Sequence, residues 1–404
     1  MISRNEPVIR VLSEQVKRLD PSRRFLESSP TGRIFNNTLE NIRRDPFGLH
    51  DVHGPWEHQG LKAQYELYNA GTSLLSSEFG AEGMTNLDAL LRNMSPAHLM
   101  PPSRDNAFYF HRGAWWNNYP LLQKCFGEKL QEISQFVRAS QLLQYEGLRY
   151  AVEANRRRAF QCSGTFPWQL NEPFPNNTCT SSVDYYGAPK PAYYGVKQAY
   201  APCTVTARFS GQSLEGERDL AASFFWQSDA ALCPKQVRTV LKSQEGVTLA
   251  EKVFHPEDGC EPGRSTELGS LCFPVERIPG ELCYLLLEAL DTEGNIPAKN
   301  CYLFTKTELS PLLNLPETTL RTAVSGTEKG WLLELTNTGS QAAPGVWLED
   351  PEEVRQEGYL YFEENYLFLM PGEKRLIRMT QSNMAKKTVR ISGWNVRTSY
   401  IFLS

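Results

Sequence analysis

Cysteine in this chain is sparse and unpatterned. Nine cysteines are scattered between Cys125 and Cys301, an odd number with no Cys-x-x-Cys pair. That spacing excludes zinc frameworks built on paired ligands. Mostly buried, reduced thiols are expected instead, and with them a cytoplasmic location. The chain also lacks any run of about 18 apolar residues, so no membrane span is expected. The N-terminal stretch MISRNEPVIRVLSEQVKRLD has no apolar core of the signal-peptide kind. Excess positive charge is missing too. The 42 Lys and Arg face 46 Asp and Glu, giving a net charge of −4 and a pI near 6.0. This argues against a partner that is nucleic acid or an anionic membrane. There is no solenoid repeat and no low-complexity tract.

What is present fits a globular chain of two to four domains. It has 404 residues, 41% of them hydrophobic and 22% charged. The text changes character near residue 203. Before it, short apolar runs alternate with helical patterns. Residues 7–19 place Val8, Ile9, Leu12, Val16 and Leu19 on one helical face, and Asp20-Pro21 ends the helix. Asn5 reads as the N-cap of that helix and Pro7 as an early helical residue. Four strand-like runs follow: RFLESSP, GLHDVHG, TSLLSSEFG and GTFPWQLN. A long helical region spans roughly 120–158. Each run ends in polar or aromatic residues. Alternating β and α implies parallel strands, and functional groups at successive strand ends are the habit of a (β/α)8 barrel. With four such strands, residues 1–203 read as the second half of a barrel. After the break, turn signals at sandwich-like spacing mark two β-sandwiches, at 204–308 and 309–404. The expected fold class is therefore multidomain α/β plus all-β.

The strand ends carry the candidate chemistry. Glu78, in Ser76-Ser77-Glu78-Phe79-Gly80, can point into a barrel mouth as an ionised carboxylate. A retaining glycosidase needs such a group under the anomeric carbon, with a protonated carboxyl about 5–5.5 Å away. A surface glutamate at a strand-to-loop junction gives the same pattern. Asp51 and His53 can bind sugar hydroxyls and Trp56 can stack on a pyranose, although solvated loop residues read alike. No third ligand accompanies Asp51-x-His53, so neither a metal nor a cofactor is expected. Trp168 makes a sugar platform or a core indole, with Asn171 beside it. His111, Trp115 and Trp116 in FHRGAWWNN form a further aromatic cluster, read either as a loop over the site or as packing.

Taken in order, these motifs resemble glycoside hydrolase family 2, and within it the β-mannosidase-like branch. LDPSRRFLESSP is similar to the family's fifth barrel strand, DVHGPW to its sixth and SSEFG to its nucleophile motif. SGTFPWQLNEPFP is similar to its eighth strand. DYYGAPKPAYYGVKQAYAP, YFEENYLFLMPGEKR and VRISGWN are similar to the barrel exit and the C-terminal immunoglobulin-like sandwich. Glu172 departs from the pattern, where an Asp is more usual. The resemblance implies a retaining exo-β-glycosidase acting on a carbohydrate substrate, with Glu78 as nucleophile. It does not choose among mannoside, glucosaminide, galactoside and glucuronide. The family's acid/base Glu follows an Asn at the end of strand four. Asn5-Glu6 offers that dipeptide, so Glu6 is the candidate within the chain. The alternative is that the acid/base and the first barrel half lie upstream. The chain would then need that N-terminal half or self-association, or would be a non-catalytic subunit with a structural or glycan-binding role.

Overall fold

The computed structural model describes residues 5–110, 116–256, 260–351, 359–381 and 388–403. It opens with helix α1 (Pro7–Leu19), with Pro7 at its first position and Asp20 as C-cap. The N-cap is Glu6 rather than Asn5, in extended conformation and with no side-chain cap. None of the α1 residues is buried. Val8, Val11, Leu12 and Leu19 are all exposed.

Four parallel strands come next, interleaved with helices. They are β1 (Ile34–Asn36), β2 (Leu49–His53), β3 (Leu75–Phe79) and, after the short β4 (Gly83–Met84), β5 (Thr165–Pro167). The sheet order is β1-β2-β3-β5, so β1 and β5 stand at its two edges. His53 pairs in register with Glu78, and Ser76 with Thr165. The expected strand RFLESSP is irregular instead, and the sheet's first strand lies further on at Ile34–Asn36. Pro30 has no N–H to give to a ladder, and Gly32 follows at φ +114°.

Between β1 and β2 runs α2 (Leu39–Arg44), capped by the Thr38 hydroxyl accepting from Asn41 N–H. Between β2 and β3 runs α3 (Ala63–Asn69). The return to β5 passes through α4 (Leu87–Asn93), α5 (Tyr119–Phe126) and α6 (Ile133–Arg157). The sequence reads one helix over 120–158. The chain breaks it at Gly127, whose φ of +60° favours glycine, and restarts it with a Glu132–Gln135 capping box. A two-residue β6 (Thr178–Cys179) pairs with β4, and α7 (Pro191–Ala199) leads out.

The rest is antiparallel sheet. Strands β7 (Cys203–Arg208), β8 (Asp219–Ser228), β9 (Gln236–Ser243), β10 (Thr248–Phe254), β11 (Ser265–Pro274), β12 (Leu282–Leu290) and β13 (Ala298–Thr305) form two sheets, β10-β9-β12-β13 and β11-β8-β7. Phe224, Trp226, Leu241 and Leu285 bring both sheets into one core, which continues through Leu148 and Tyr65 to Val52 and Phe79. Strands β14 (Leu320–Thr327), β15 (Gly330–Asn337), β16 (Ala343–Glu349), β17 (Leu360–Phe362), β18 (Leu367–Leu369), β19 (Lys374–Gln381), β20 (Thr388–Ser392) and β21 (Ser399–Phe402) form two more sheets, β14-β15-β19-β17 and β18-β16-β20-β21. Leu333, Ile377, Leu348 and Ile391 share the core between them. One departure from the expected reduced thiols is a disulfide joining Cys233 and Cys260. Among the described residues, no helix is long and apolar enough to cross a membrane.

Candidate active site

Parallel pairing brings the ends of β2, β3 and β5 side by side. Gly54 N–H donates to Glu78 O at 2.7 Å, and Trp168 N–H donates to Phe79 O at 2.6 Å. The chain turns back after His53 through Gly54, at φ +75°, where a Cβ would press on the Trp56 ring at 3.2 Å. That turn returns Trp56 to the end of β3, where its indole Nε1–H donates to Glu78 Oε1 at 2.7 Å. Gly80, two residues after the glutamate, has a different constraint. A Cβ there would lie 2.8 Å from Trp168 O, so the close approach of β3 and β5 requires glycine.

Glu78 is half-buried, with 27% of its side chain exposed, and His53 Nδ1 lies 3.8 Å from Glu78 Oε2. The His53 and Trp56 rings meet edge-on at 6.5 Å. On the other side of His53, its Nε2 lies 3.1 Å from Ser29 Oγ. Ser29 Oγ lies 2.9 Å from Ser77 Oγ, and the Ser77 hydroxyl donates to Asp51 Oδ1. Trp168 is half-buried, and its ring centre lies 5.2 Å from that of Trp116. A carboxylate held by an indole N–H and next to an imidazole, with a pair of indoles at the neighbouring strand end, can serve as a nucleophile or ion-pair acceptor for a ligand with an apolar face and polar edges.

The structure therefore gathers Glu78, His53 and Trp56 in direct contact and places Trp168 on the neighbouring strand end. It treats the other candidates differently. Asp51 is fully buried, at 1% exposure, so it reaches the site only through Ser77. Asn171 is exposed and its backbone bridges to Val183, with no hydrogen bond to Glu78. Glu6 is exposed at the N-cap of α1, and no hydrogen bond or ion pair joins it to Glu78. His111 and Trp115 lie outside the described residues. No cluster of three or more His, Cys, Asp or Glu suited to a metal occurs among the described residues.

Sequence reasoning missed two groups. One is the pair of hydroxyls, Ser29 and Ser77, that links His53 to Asp51. Period-2 alternation alone would set Ser77 on the opposite face from Glu78, so the pattern of β3, whose pairing is irregular between Ser76 and Phe79, carries no signal for it. The other is Glu82 with His58. Both are buried, and His58 N–H donates to Glu82 Oε2 at 2.8 Å. Burial pushes the Glu82 carboxyl up to about 8, against the pull of that hydrogen bond. Burial also holds His58 down at about 3, so its ring is neutral. They border a polar cavity of about 650 Å³ with Glu57, Arg104 and Lys62.

Residues 302–396 match the family profile described as the exo-β-D-glucosaminidase Ig-fold domain. The chain is 26% identical over 275 residues to β-mannosidase B of Aspergillus clavatus, covering 64% of this chain and 31% of that protein. It is 25% identical over 208 residues to β-mannosidase B of Aspergillus terreus, covering 49% and 23% respectively. Among solved structures it is similar to the exo-chitosanase of Amycolatopsis orientalis, with a TM-score of 0.68 and 20% identity over 87% of this chain and 45% of that one. It is equally similar to the β-D-mannosidase of Dictyoglomus thermophilum, with a TM-score of 0.68 and 20% identity over 96% and 44%. The chain thus spans under a third of the length of these fungal relatives and under half of these structural ones.

Proposed function

We propose, from this kinship with the β-mannosidase-like branch of glycoside hydrolase family 2, that the chain carries the nucleophile side of a retaining exo-β-glycosidase. The observation that carries the reading is the seating of Glu78. It stands at the C-terminal end of a parallel strand, its carboxylate fixed by the Trp56 indole and faced by His53, with Trp168 on the next strand end. On this reading β1, β2, β3 and β5 are the second half of a (β/α)8 barrel, residues 1–203 are its domain, and 204–308 and 309–404 are two immunoglobulin-like sandwiches. The exposed apolar side of α1 and the two sheet edges are where further barrel strands, or a second copy, would pack.

Glu78 attacks the anomeric carbon and the glycosidic C–O bond breaks, leaving a glycosyl ester on the carboxylate. Water, losing a proton, then attacks the anomeric carbon with a second inversion and the Glu78 carboxylate departs, so configuration is retained overall. His53 and Trp56 orient the sugar and hold the carboxylate, and Trp168 stacks under the ring. The leaving oxygen needs a proton from a second carboxyl. Glu6, exposed at the start of α1, has no contact that places it there.

The test separates the two carboxyl roles. A 2,4-dinitrophenyl 2-deoxy-2-fluoro-β-mannoside needs no proton on its leaving group, so it reports the nucleophile alone. One glycosyl mass should be added to the peptide holding Glu78, and Glu78→Gln should abolish the addition. A folded protein that acquires no label from this reagent or its gluco-configured analogue overturns the reading. A panel of nitrophenyl β-glycosides then asks which sugar is turned over.

A further inference from the structure

We propose that Asp51, Ser77 and Ser29 form a one-way hydrogen-bond relay that fixes the tautomer of His53, so that its Nδ1 faces Glu78 as an acceptor. This deepens the glycosidase reading and rests on it for the identity of the ligand. The direction follows from proton counting. An ionised carboxylate can only accept, and a hydroxyl has one proton to give. The Ser77 hydroxyl donates to Asp51 Oδ1. Its proton is then spent, so across the 2.9 Å contact between the serine oxygens Ser29 must donate and Ser77 accept. The Ser29 proton is spent in turn. At 3.1 Å from His53 Nε2 its oxygen can only accept, and the ring nitrogen must carry the hydrogen. Neutral His53 is therefore the Nε2–H form, and its Nδ1 lone pair points toward Glu78 Oε2 at 3.8 Å.

That last distance fits the assignment. Two acceptors face each other at a separation longer than a hydrogen bond, whereas an Nδ1–H would be drawn onto the carboxylate. The burial of Asp51, at 1% exposure, anchors the far end of the relay away from water. The pair of acceptors selects a donor group on the ligand, a hydroxyl or an ammonium, lying between His53 and Glu78. Ser29, Ser77 and Asp51 are positioning residues, since they act only through His53.

Nitrogen-15 spectra of the 404-residue chain labelled at histidine test this above pH 8, where an ordinary imidazole is neutral. The His53 resonances are assigned by their loss in His53→Gln. The expected spectrum shows Nε2 protonated and Nδ1 bare. In Ser29→Ala the acceptor for Nε2–H is gone, and the proton should move largely to Nδ1 to meet Glu78. Ser77→Ala should give an intermediate mixture, which keeps the test alive if either single variant folds poorly. Titration with methyl β-D-mannoside or methyl β-D-glucosaminide should shift the bare Nδ1 of the wild type with whichever ligand binds. A wild-type Nδ1–H form, a tautomer unmoved by both serine variants, or an Nδ1 unmoved by either ligand at saturation overturns the relay. Labelling at Glu78 alongside a wild-type Nδ1–H form sinks the relay alone. An Nε2–H form lost in Ser29→Ala, without any labelling, sinks the glycosidase reading alone.

Discussion

Glu82 should set the alkaline limit of this fold. Its carboxyl is fully buried beside β4, and it goes from an ordinary 4.5 to about 8 on folding. Each tenfold change in proton affinity is worth about 1.4 kcal/mol, so the charged form is destabilised in place by roughly 4 to 5 kcal/mol. The sign follows from proton binding. Between pH 4.5 and 8 the folded state holds a proton that the unfolded chain has released, so stability falls as pH rises across that window. His58, held at about 3 against an ordinary 6.5, acts in the opposite sense. Between pH 3 and 6.5 the unfolded chain binds the extra proton, so stability rises with pH. The two slopes cancel between about pH 4.5 and 6.5, and above that the loss belongs to Glu82. Glu82→Gln keeps an oxygen to accept from His58 N–H and has no charge to bury. The variant should match the wild type within about 1 kcal/mol at pH 5 and exceed it by roughly 4 kcal/mol at pH 9, measured by urea unfolding. Taking the difference between variant and wild type cancels every other titrating group, including Glu373, itself raised to about 7. A difference independent of pH would refute the burial argument.

Three further experiments probe the same framework. Gly147→Ala adds a Cβ 2.6 Å from the buried His58 ring. It should destabilise by about 1–3 kcal/mol from overpacking despite alanine's better helix propensity, and a gain in melting temperature would contradict it. Arg149 and Glu146 pair at 2.7 Å with 1% and 2% of their side chains exposed. Arg149→Met leaves the carboxylate buried alone and should cost about 3–5 kcal/mol, while adding Glu146→Leu should restore much of it; an equally unstable double variant in urea melts would argue against the pairing. Trp56→Phe removes the N–H held at 2.7 Å by Glu78. A hydrogen bond to a charged group contributes about 1.5–3 kcal/mol, so the rate of fluoroglycoside labelling should fall roughly ten- to a hundredfold, and an unchanged rate would remove Trp56 from the site.

The strand ends were legible because period-2 alternation and turn residues are local. His53, Glu78 and Trp168 each sit where a short apolar run stops, and parallel pairing then puts them together. What failed was equally local. RFLESSP reads as a strand, yet the chain there is irregular, and the pairing partner of β2 on that side is the shorter Ile34–Asn36. Ser29 still arrives at the site, through its bonds to His53 and Ser77, which no periodicity reports. Asp51 looked like a sugar ligand because it neighbours His53. Alternation puts Asp51 on the same face of β2 as His53, but it lies two residues short of the strand end, and its carboxylate is buried there, where Ser77 meets it.

Helix α6 shows why burial was the least legible quantity. Its apolar residues Phe136, Val137, Leu143, Leu148 and Val152 suggested a single buried stripe. In the structure Ser140, Gln141, Gln144, Glu146, Arg149, Glu153 and Asn155 are buried as well. A buried polar side chain needs partners, and these find them in segments far away in sequence. Gln144 donates to the backbone oxygens of Ala81 and Ser181, in the segments beyond β3 and β5. Ser140 accepts from Met84 N–H. Asn155 donates to Thr165 at the start of β5. One turn further round, Arg149 donates to Asn300 Oδ1 and Cys301 O, and Glu153 accepts from Asn300 and Tyr302 of the adjoining sheet. The polar positions that a helical wheel assigns to solvent therefore brace the segments that carry the site and join them to the first sandwich. A wheel reads only the helix, whereas the need for these residues is written in backbone groups it cannot see.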